Sequence, residues 1–448
     1  MLVSVLGRTP PAADPELVHL EAAPDRAALR ADEAAQVVVR LQLAADERAS
    51  EAEIGVDLGL LIDTSGSMAG DPIEHARAAV HALVGELRPE DRLTLVTFDS
   101  RAQVVLPPTV IDDADLDELA ERIDAIQAQG TTDLAAGLAT LMQQLQTQPR
   151  TGDLDRIVIV SDGVPNDASS LASQVASARE SGFAITTLGV GLDYDEVLLG
   201  EMARNSGGRF HHVADDDGLA ESVVGEVFGA QRQVAGDVRL FLSTGPGVTI
   251  SRVIGSTGSM ANVHSYGIVL AELSEGEAQE VFVELAVAPP KAGTTLELLD
   301  AIVQFDDRVG GSGRLERRAF VAMPVSDDAA VLALRTPEIE LGVAGARAAA
   351  ATIDAIAMAR SGKLEDAEQL LLDNDEALEA VQAANADDAP APKLRHMERQ
   401  REVMNDLRND LATERSKNSG TYGSGGETYW RHAAKEANAA SVDVLQAK

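Results

Sequence analysis

The sequence predicts a multidomain protein. A doubly wound, Rossmann-like α/β domain is inserted in an antiparallel β-sandwich and followed by a C-terminal α-helical region. Three observations lead there. Residues 53–230 alternate short apolar runs with amphipathic stretches, the pattern of a mostly parallel sheet covered on both faces. The segments on either side carry apolar residues at alternate positions. From Pro337 onward the apolar period becomes helical. At 448 residues the chain exceeds one ordinary domain, so about three are expected.

Within the α/β region, strands are read at 56–62, 92–98, 102–106, 156–160, 184–190 and 209–213. Helices are read at 73–87, 116–126, 134–145, 169–181, 196–205 and 219–228. Turn chemistry at Arg88-Pro89-Glu90-Asp91, Ser181-Gly182 and Ser206-Gly207-Gly208 separates several of them. In the first flank Val37, Val39, Leu41 and Leu43 alternate, although Val38 between them is also apolar. In the second, Val238-Arg239-Leu240-Phe241-Leu242, Val248-Thr249-Ile250 and Val281-Phe282-Val283-Glu284-Leu285 repeat the period. One or two strands before residue 53 cannot make a stable sheet alone. They are therefore expected to pair with strands after residue 233. This places the first strands of the sandwich in 1–52, the α/β domain in 53–230, the rest of the sandwich in 231–326 and the helical region in 327–448.

In that last region, helices at 338–360 and 364–384 flank Ser361-Gly362-Lys363, an αα-hairpin turn. A linker is read near 386–393, a highly charged helix at 395–416, a Gly-rich segment at 419–426 and a final helix at 429–446. Alanine is abundant throughout, which suits closely packed or weakly packed helices.

Composition removes several function classes. Seventy-three acids against 37 bases give a formal net charge of −36. Such a surface repels nucleic acid and anionic lipid, and favours basic or metal-bridged partners. The plainer meaning is a well-solvated acidic surface. With no cysteine there is no disulfide, thiol nucleophile or thiolate metal site. The first eight residues carry no signal-peptide pattern. No run of about 20 apolar residues stands out, so membrane insertion is not expected. A cytoplasmic location is the expectation.

The chemistry concentrates at Asp63-Thr64-Ser65-Gly66-Ser67-Met68, directly after the apolar run 56–62. An acid and two hydroxyls then converge at a strand's carboxyl end, where open α/β sheets place their ligands. Oxygen donors of this kind suit a hard divalent cation such as Mg²⁺. Two further segments sit at equivalent places: Gln129-Gly130-Thr131-Thr132-Asp133-Leu134 before a helix, and Val160-Ser161-Asp162-Gly163 after a strand. Together the three motifs resemble the von Willebrand factor type A (VWA) domain and its metal-ion-dependent adhesion site. The resemblance covers residues 53–230.

The resemblance implies a metal held by Asp63, Ser65, Ser67, Thr132 and Asp162. The hydroxyls would bind directly, and the two acids would act largely through water and hydrogen bonds to the ligands. Neutral donors leave the cation net positive, with a position open for a partner's Asp or Glu. Mg²⁺ is the expected ion, with Mn²⁺ or Ca²⁺ as alternatives. The family often has Gly-Gly-Thr-Asn at the second motif; here Gly130-Thr131-Thr132-Asp133 stands, so Thr131 is the alternative ligand. Asp133 is equally readable as a helix N-cap.

Other candidates are weaker. His75 and His81 are six apart and miss the i, i+4 metal spacing. His211 and His212 point to opposite faces of a strand. Gly255-Ser256-Thr257-Gly258-Ser259-Met260 echoes the first motif without its leading acid. Asp306-Asp307-Arg308-Val309-Gly310-Gly311 reads as a hairpin turn rather than a Ca²⁺ loop. Gly189-Val190-Gly191 lacks the rest of any nucleotide motif.

The expected function is thus a Mg²⁺-dependent protein–protein interaction module, an adaptor or assembly factor rather than an enzyme. The overall arrangement is similar to bacterial relatives of calcium-activated chloride channel regulators and of inter-α-trypsin inhibitor heavy chains. A setting beside an AAA+ ATPase system is what some intracellular relatives imply. The alternatives are a Mg²⁺-dependent hydrolase, for which no general base accompanies the motifs, and an exported adhesin.

Overall fold

A computed structural model describes residues 17–46, 55–147, 154–165, 168–191, 194–213, 219–229, 233–254, 259–386, 391–418, 433–435, 437–438 and 440–441. The chain opens with strands β1 (Val18–Pro24) and β2 (Ala35–Ala45). The α/β region follows: β3 (Val56–Asp63), α1 (Asp71–Glu86), β4 (Arg92–Phe98), β5 (Ala102–Val110), α2 (Leu116–Asp124), α3 (Leu134–Leu145) and β6 (Leu154–Ser161). It continues with α4 (Leu171–Glu180), β7 (Ala184–Val190), α5 (Glu196–Ser206), β8 (Phe210–Val213) and α6 (Leu219–Gly229). Then come β9 (Gln233–Thr244), β10 (Val248–Val253), β11 (Ser259–Asn262), β12 (Ser265–Val269), β13 (Leu273–Ser274), β14 (Ala278–Val287), β15 (Thr295–Asp307) and β16 (Gly313–Pro324). Helices α7 (Ala329–Leu332), α8 (Pro337–Arg360), α9 (Leu364–Ala384) and α10 (Ala391–Asn418) complete the order.

The α/β sheet runs β5-β4-β3-β6-β7-β8, parallel except for the edge strand β5. Every residue of β3 is buried, because helices cover both faces of the sheet. Leu58, Leu60 and Ile62 pack toward α1, α2 and α6, whereas Leu61 packs toward α3, α4 and α5. Gly59 lets α3 approach closely: a Cβ there would lie 2.9 Å from Leu145. From β3 the chain crosses to β4 on one side and later to β6 on the other. Their carboxyl ends therefore flank a topological switch point, the usual ligand crevice of such sheets.

Two antiparallel sheets form a sandwich around a single apolar cluster. One is β1-β2-β14-β10 and the other β11-β12-β9-β15-β16, with β13 on β9. Strand β2 pairs with β14, so Val39 lies opposite Val283 and Leu41 opposite Val281. The α/β region lies between these partners in sequence. Val37, Val39, Leu41 and Leu43 point into the core. Val38 points outward, yet it too is buried, beneath α8 with Phe282, Ile339 and Val343. The apolar residue that interrupted the alternation marks a strand covered on both faces.

Helix α8 is wedged between the sandwich and the other C-terminal helices, and small residues make that possible. Ala348, Ala349, Ala351, Ala355 and Ala359 are all buried. By length and composition this helix could cross a bilayer, but 67% of its most apolar 18-residue stretch is buried inside the protein. The αα-hairpin at Gly362 forms as expected, with Gly362 at φ +81°. Helix α10 starts at Ala391, inside the stretch read as a linker; Pro392 falls in the first turn, where its missing N–H costs nothing. The Gly-rich segment 419–426 lies outside the described residues.

Polar contacts join the three parts. Arg156, 2% exposed, donates to Glu272 at 2.6 Å and to Thr186 at 3.0 Å, tying the start of β6 to the sandwich. At the other end of the sheet, the fully buried Lys435 donates to the Tyr194 carbonyl at 2.7 Å and to Glu196 at 3.0 Å. Its ammonium lies 3.4 Å from the Tyr194 ring centroid. Arg360 from α8 also pairs with Glu196, its Nε donating at 3.0 Å. Burial alone would raise the Glu196 carboxyl, but Lys435 and Arg360 outweigh it and hold it below its usual range. Burial pushes the Lys435 amine down to about 8, with Glu196 pulling the other way.

Candidate metal centre

Four loops meet at the carboxyl ends of β3, β4 and β6. Backbone bonds lace three of them together. Thr64 N donates to Phe98 O at 2.8 Å, Gly66 N to Gly130 O at 3.1 Å, Gln129 N to Thr64 O at 2.6 Å and Asp133 N to Asp99 O at 2.9 Å. Gly130 has φ +77°, and a Cβ on it would sit 2.6 Å from Ser100 Oγ. Only glycine lets this loop close on the β4–β5 turn.

The fourth loop joins through side chains. Asp63 is fully buried; its Oδ1 accepts from Ser65 N at 2.8 Å and its Oδ2 from Ser161 Oγ at 2.6 Å. Ser65 Oγ and Ser67 Oγ stand 3.0 Å apart, and Ser67 Oγ donates to Asp162 Oδ1 at 2.8 Å. Thr132, 7% exposed, turns toward the same centre: a Cβ on Gly163 would fall 2.8 Å from Thr132 Oγ1 and 3.5 Å from Asp63 Oδ2. The structure thus brings Asp63, Ser65, Ser67, Thr132 and Asp162 together from separate loops.

Thr131 goes elsewhere. It is exposed, its N–H donates to Ser100 Oγ at 3.0 Å, and its hydroxyl lies 3.3 Å from that oxygen. Asp133 caps α3, its Oδ1 accepting from Ala136 N at 3.0 Å.

The donor set fits a small hard cation. Mg²⁺ with metal–oxygen distances of about 2.1 Å needs adjacent donors about 3.0 Å apart. The Ser65 and Ser67 hydroxyls already keep that spacing. Burial raises the Asp63 carboxyl above its ordinary value, against the hydrogen bonds from Ser161 and Ser65, and Asp99 adds to the rise. A cation would offset that cost. Among the described residues no group of three or more His, Cys, Asp or Glu could hold a metal. Any ion here depends on hydroxyl donors, with Gly163 leaving the space beside Thr132.

Two contributors escaped the sequence reading. Ser161 orients Asp63; its signal was a hydroxyl directly before Asp162 at a strand end. Asp99, at the carboxyl end of β4, takes Arg101 N at 2.8 Å and shapes the rim. The weaker candidates stay outside the centre. His81 pairs with Asp124 at 2.9 Å, and His212 Nδ1 meets the Tyr194 hydroxyl at 2.8 Å. Asp307 accepts from the backbone N–H groups of Val309, Gly310 and Ser312 in the β15–β16 turn, the hairpin reading. Residues 255–258 of the echo motif lie outside the described residues.

The α/β region that carries these loops is similar to known proteins. The family model for the von Willebrand factor type A domain matches residues 57–225. The Escherichia coli K12 protein YfbK is 32% identical over 193 residues, 42% of this chain and 33% of its own length. Bovine inter-alpha-trypsin inhibitor heavy chain H4 is 27% identical over 170 residues, 36% of this chain and 19% of its own. The chain therefore spans a third or less of these relatives. A von Willebrand factor type A structure from Catenulispora acidiphila superposes with a TM-score of 0.71 at 17% identity. That superposition covers 96% of this chain and 98% of the other, so the likeness of fold extends across the flanking parts. On motif, geometry and family match together, residues 57–225 of this chain are similar to the von Willebrand factor type A domain.

Proposed function

We propose that this protein is a Mg²⁺-dependent adaptor or assembly factor that captures a partner through an Asp or Glu side chain. Domains of this family generally mediate metal-dependent protein–protein contacts. The observation that carries the reading here is the pair of hydroxyls, Ser65 and Ser67, held 3.0 Å apart between two buried carboxylates at the switch point. In this reading Ser65, Ser67 and Thr132 hold the ion, with Asp63 and Asp162 orienting them. The bound cation supplies Lewis acidity and an open position for a carboxylate. The chain's part is to keep its own donors mostly neutral, so that a protein of net charge −36 can still attract an acid.

A hydrolytic role is disfavoured because Asp63 is already engaged by Ser65 and Ser161 and is poorly placed to take a proton from water. A cytoplasmic setting and an AAA+ ATPase partner belong to the proposal. Calorimetric titration with Mg²⁺ tests the ligand set: the Ser65→Ala, Ser67→Ala double variant should lose most of its affinity while its circular dichroism is unchanged. Capture of partners with Mg²⁺ or EDTA, identified by mass spectrometry, tests the rest. Capture by the Asp63→Ala variant equal to wild type would refute the reading.

A further inference from the structure

A cleft of about 920 Å³ opens beside the metal centre. It runs from Thr64, Ser100 and Gly130 along β5 to Val105 and Arg122. Strand β5 is the edge of its sheet, with β4 on one side only. At the turn Asp99 N donates to Arg101 O, and Gln103 lies opposite Thr97. The alternation of an antiparallel ladder then directs the N–H and C=O groups of Ala102 and Val104 away from β4, to the open side. An unpaired edge of this kind is a template for another strand.

The charge of the cleft departs from that of the molecule. The chain carries about twice as many acids as bases, yet the cleft is lined by Arg101 and Arg122 against one acid, Asp99. Asp99 is held by its own turn. Arg122 is engaged with Glu118 and with the Val105 carbonyl. Arg101 is exposed, and its guanidinium makes no hydrogen bond or ion pair with a described residue.

We propose that this cleft receives an extended acidic peptide segment of the partner. The segment adds to the free edge of β5 at Ala102 and Val104, and sets a second carboxylate on Arg101 while the first occupies the metal centre. This rests on the metal-dependent reading of that centre and deepens it. Residues 102–105 span about 10 Å at ~3.3 Å per residue, room for about three residues of the segment to pair. Main-chain pairing supplies affinity, and Arg101 supplies the choice of sequence.

The test uses the full chain and a library of N-acetylated octapeptide amides with one fixed Asp and every other position randomised. Peptides retained in Mg²⁺ and in EDTA are sequenced. Wild type should enrich Asp or Glu at one offset from the fixed Asp, only in Mg²⁺, and Arg101→Glu should replace that preference with Lys or Arg. N-methylation of alternate amides in the best peptide should weaken it at least tenfold. Mg²⁺-dependent retention with no second acid, or with the same preference in Arg101→Glu, would overturn the cleft assignment alone. No Mg²⁺-dependent retention by wild type would overturn the metal reading and this inference with it.

Discussion

Ser161 shows how much of this site is carried by a residue that need not touch an ion. Its hydroxyl holds Asp63 Oδ2 at 2.6 Å. Partners of this kind typically set ligand orientation at a cost of about 10–100-fold in metal affinity when removed. Ser161→Ala should lower Mg²⁺ affinity by about that factor in calorimetry while melting changes little; an unchanged affinity would show that Asp63 needs no such support. The buried charges around Glu196 are unequal in a similar way. Glu196 serves two cations, so Glu196→Ala strands Lys435 in a buried site and should cost about 3–5 kcal/mol in denaturant unfolding. Lys435→Met leaves Glu196 paired with Arg360 and should cost much less. The amine also imposes a pH dependence. With its folded value near 8 and an ordinary value of 10.5, the unfolded chain holds more protons between those limits. Wild type should therefore gain stability relative to Lys435→Met as pH rises from 8 to 10.5. A difference that stays flat across that range would mean the amine keeps its proton throughout.

Among elements, β14 and α8 explain why alternation in the flanks is imperfect. Strand β14 turns Val281, Val283 and Leu285 into the sandwich, while Phe282 seats on Gly342 of α8. A Cβ on Gly342 would fall 2.6 Å from the Phe282 ring, so the glycine is the recess that accepts it. Phe282→Ala should destabilise by about 3–5 kcal/mol in equilibrium unfolding. A loss under about 1 kcal/mol would mean that α8 is only loosely seated. The same covering explains the alanine-rich composition of α8: a helix touched on several sides can carry little bulk. Periodicity identified that helix, but its neighbours were invisible to it.

For the whole molecule, the central consequence is that the sandwich is assembled from both flanks of the α/β region. Strand β2 pairs with β14 about 240 residues away, and both face one apolar cluster. A fragment of residues 55–229 should fold alone, because its sheet is complete. A fragment of residues 233–326 should not, because it lacks β1 and β2. Dispersed amide resonances from the second fragment at wild-type stability would contradict this. The contacts of Arg156 with Glu272 and of Lys435 with Glu196 clamp the α/β part at both ends of its sheet. The first contact ties the α/β part to the sandwich and the second ties it to the C-terminal residues.

Much of this was legible in sequence because it is local physics. Apolar period distinguishes strand from helix, and Asp63, Ser65, Ser67 and Asp162 follow buried strands, so chain direction alone brings them to one edge of a sheet. The second motif named Thr132, with Thr131 as the alternative; what separates the two is contact across loops, with Ser100 taking Thr131 and Gly163 leaving space for Thr132. The roles of Ser161 and Lys435, and the burial of Val38, were likewise decided only in three dimensions. Each depends on a partner far away in sequence, and no period or spacing along one segment records which distant surface will cover it.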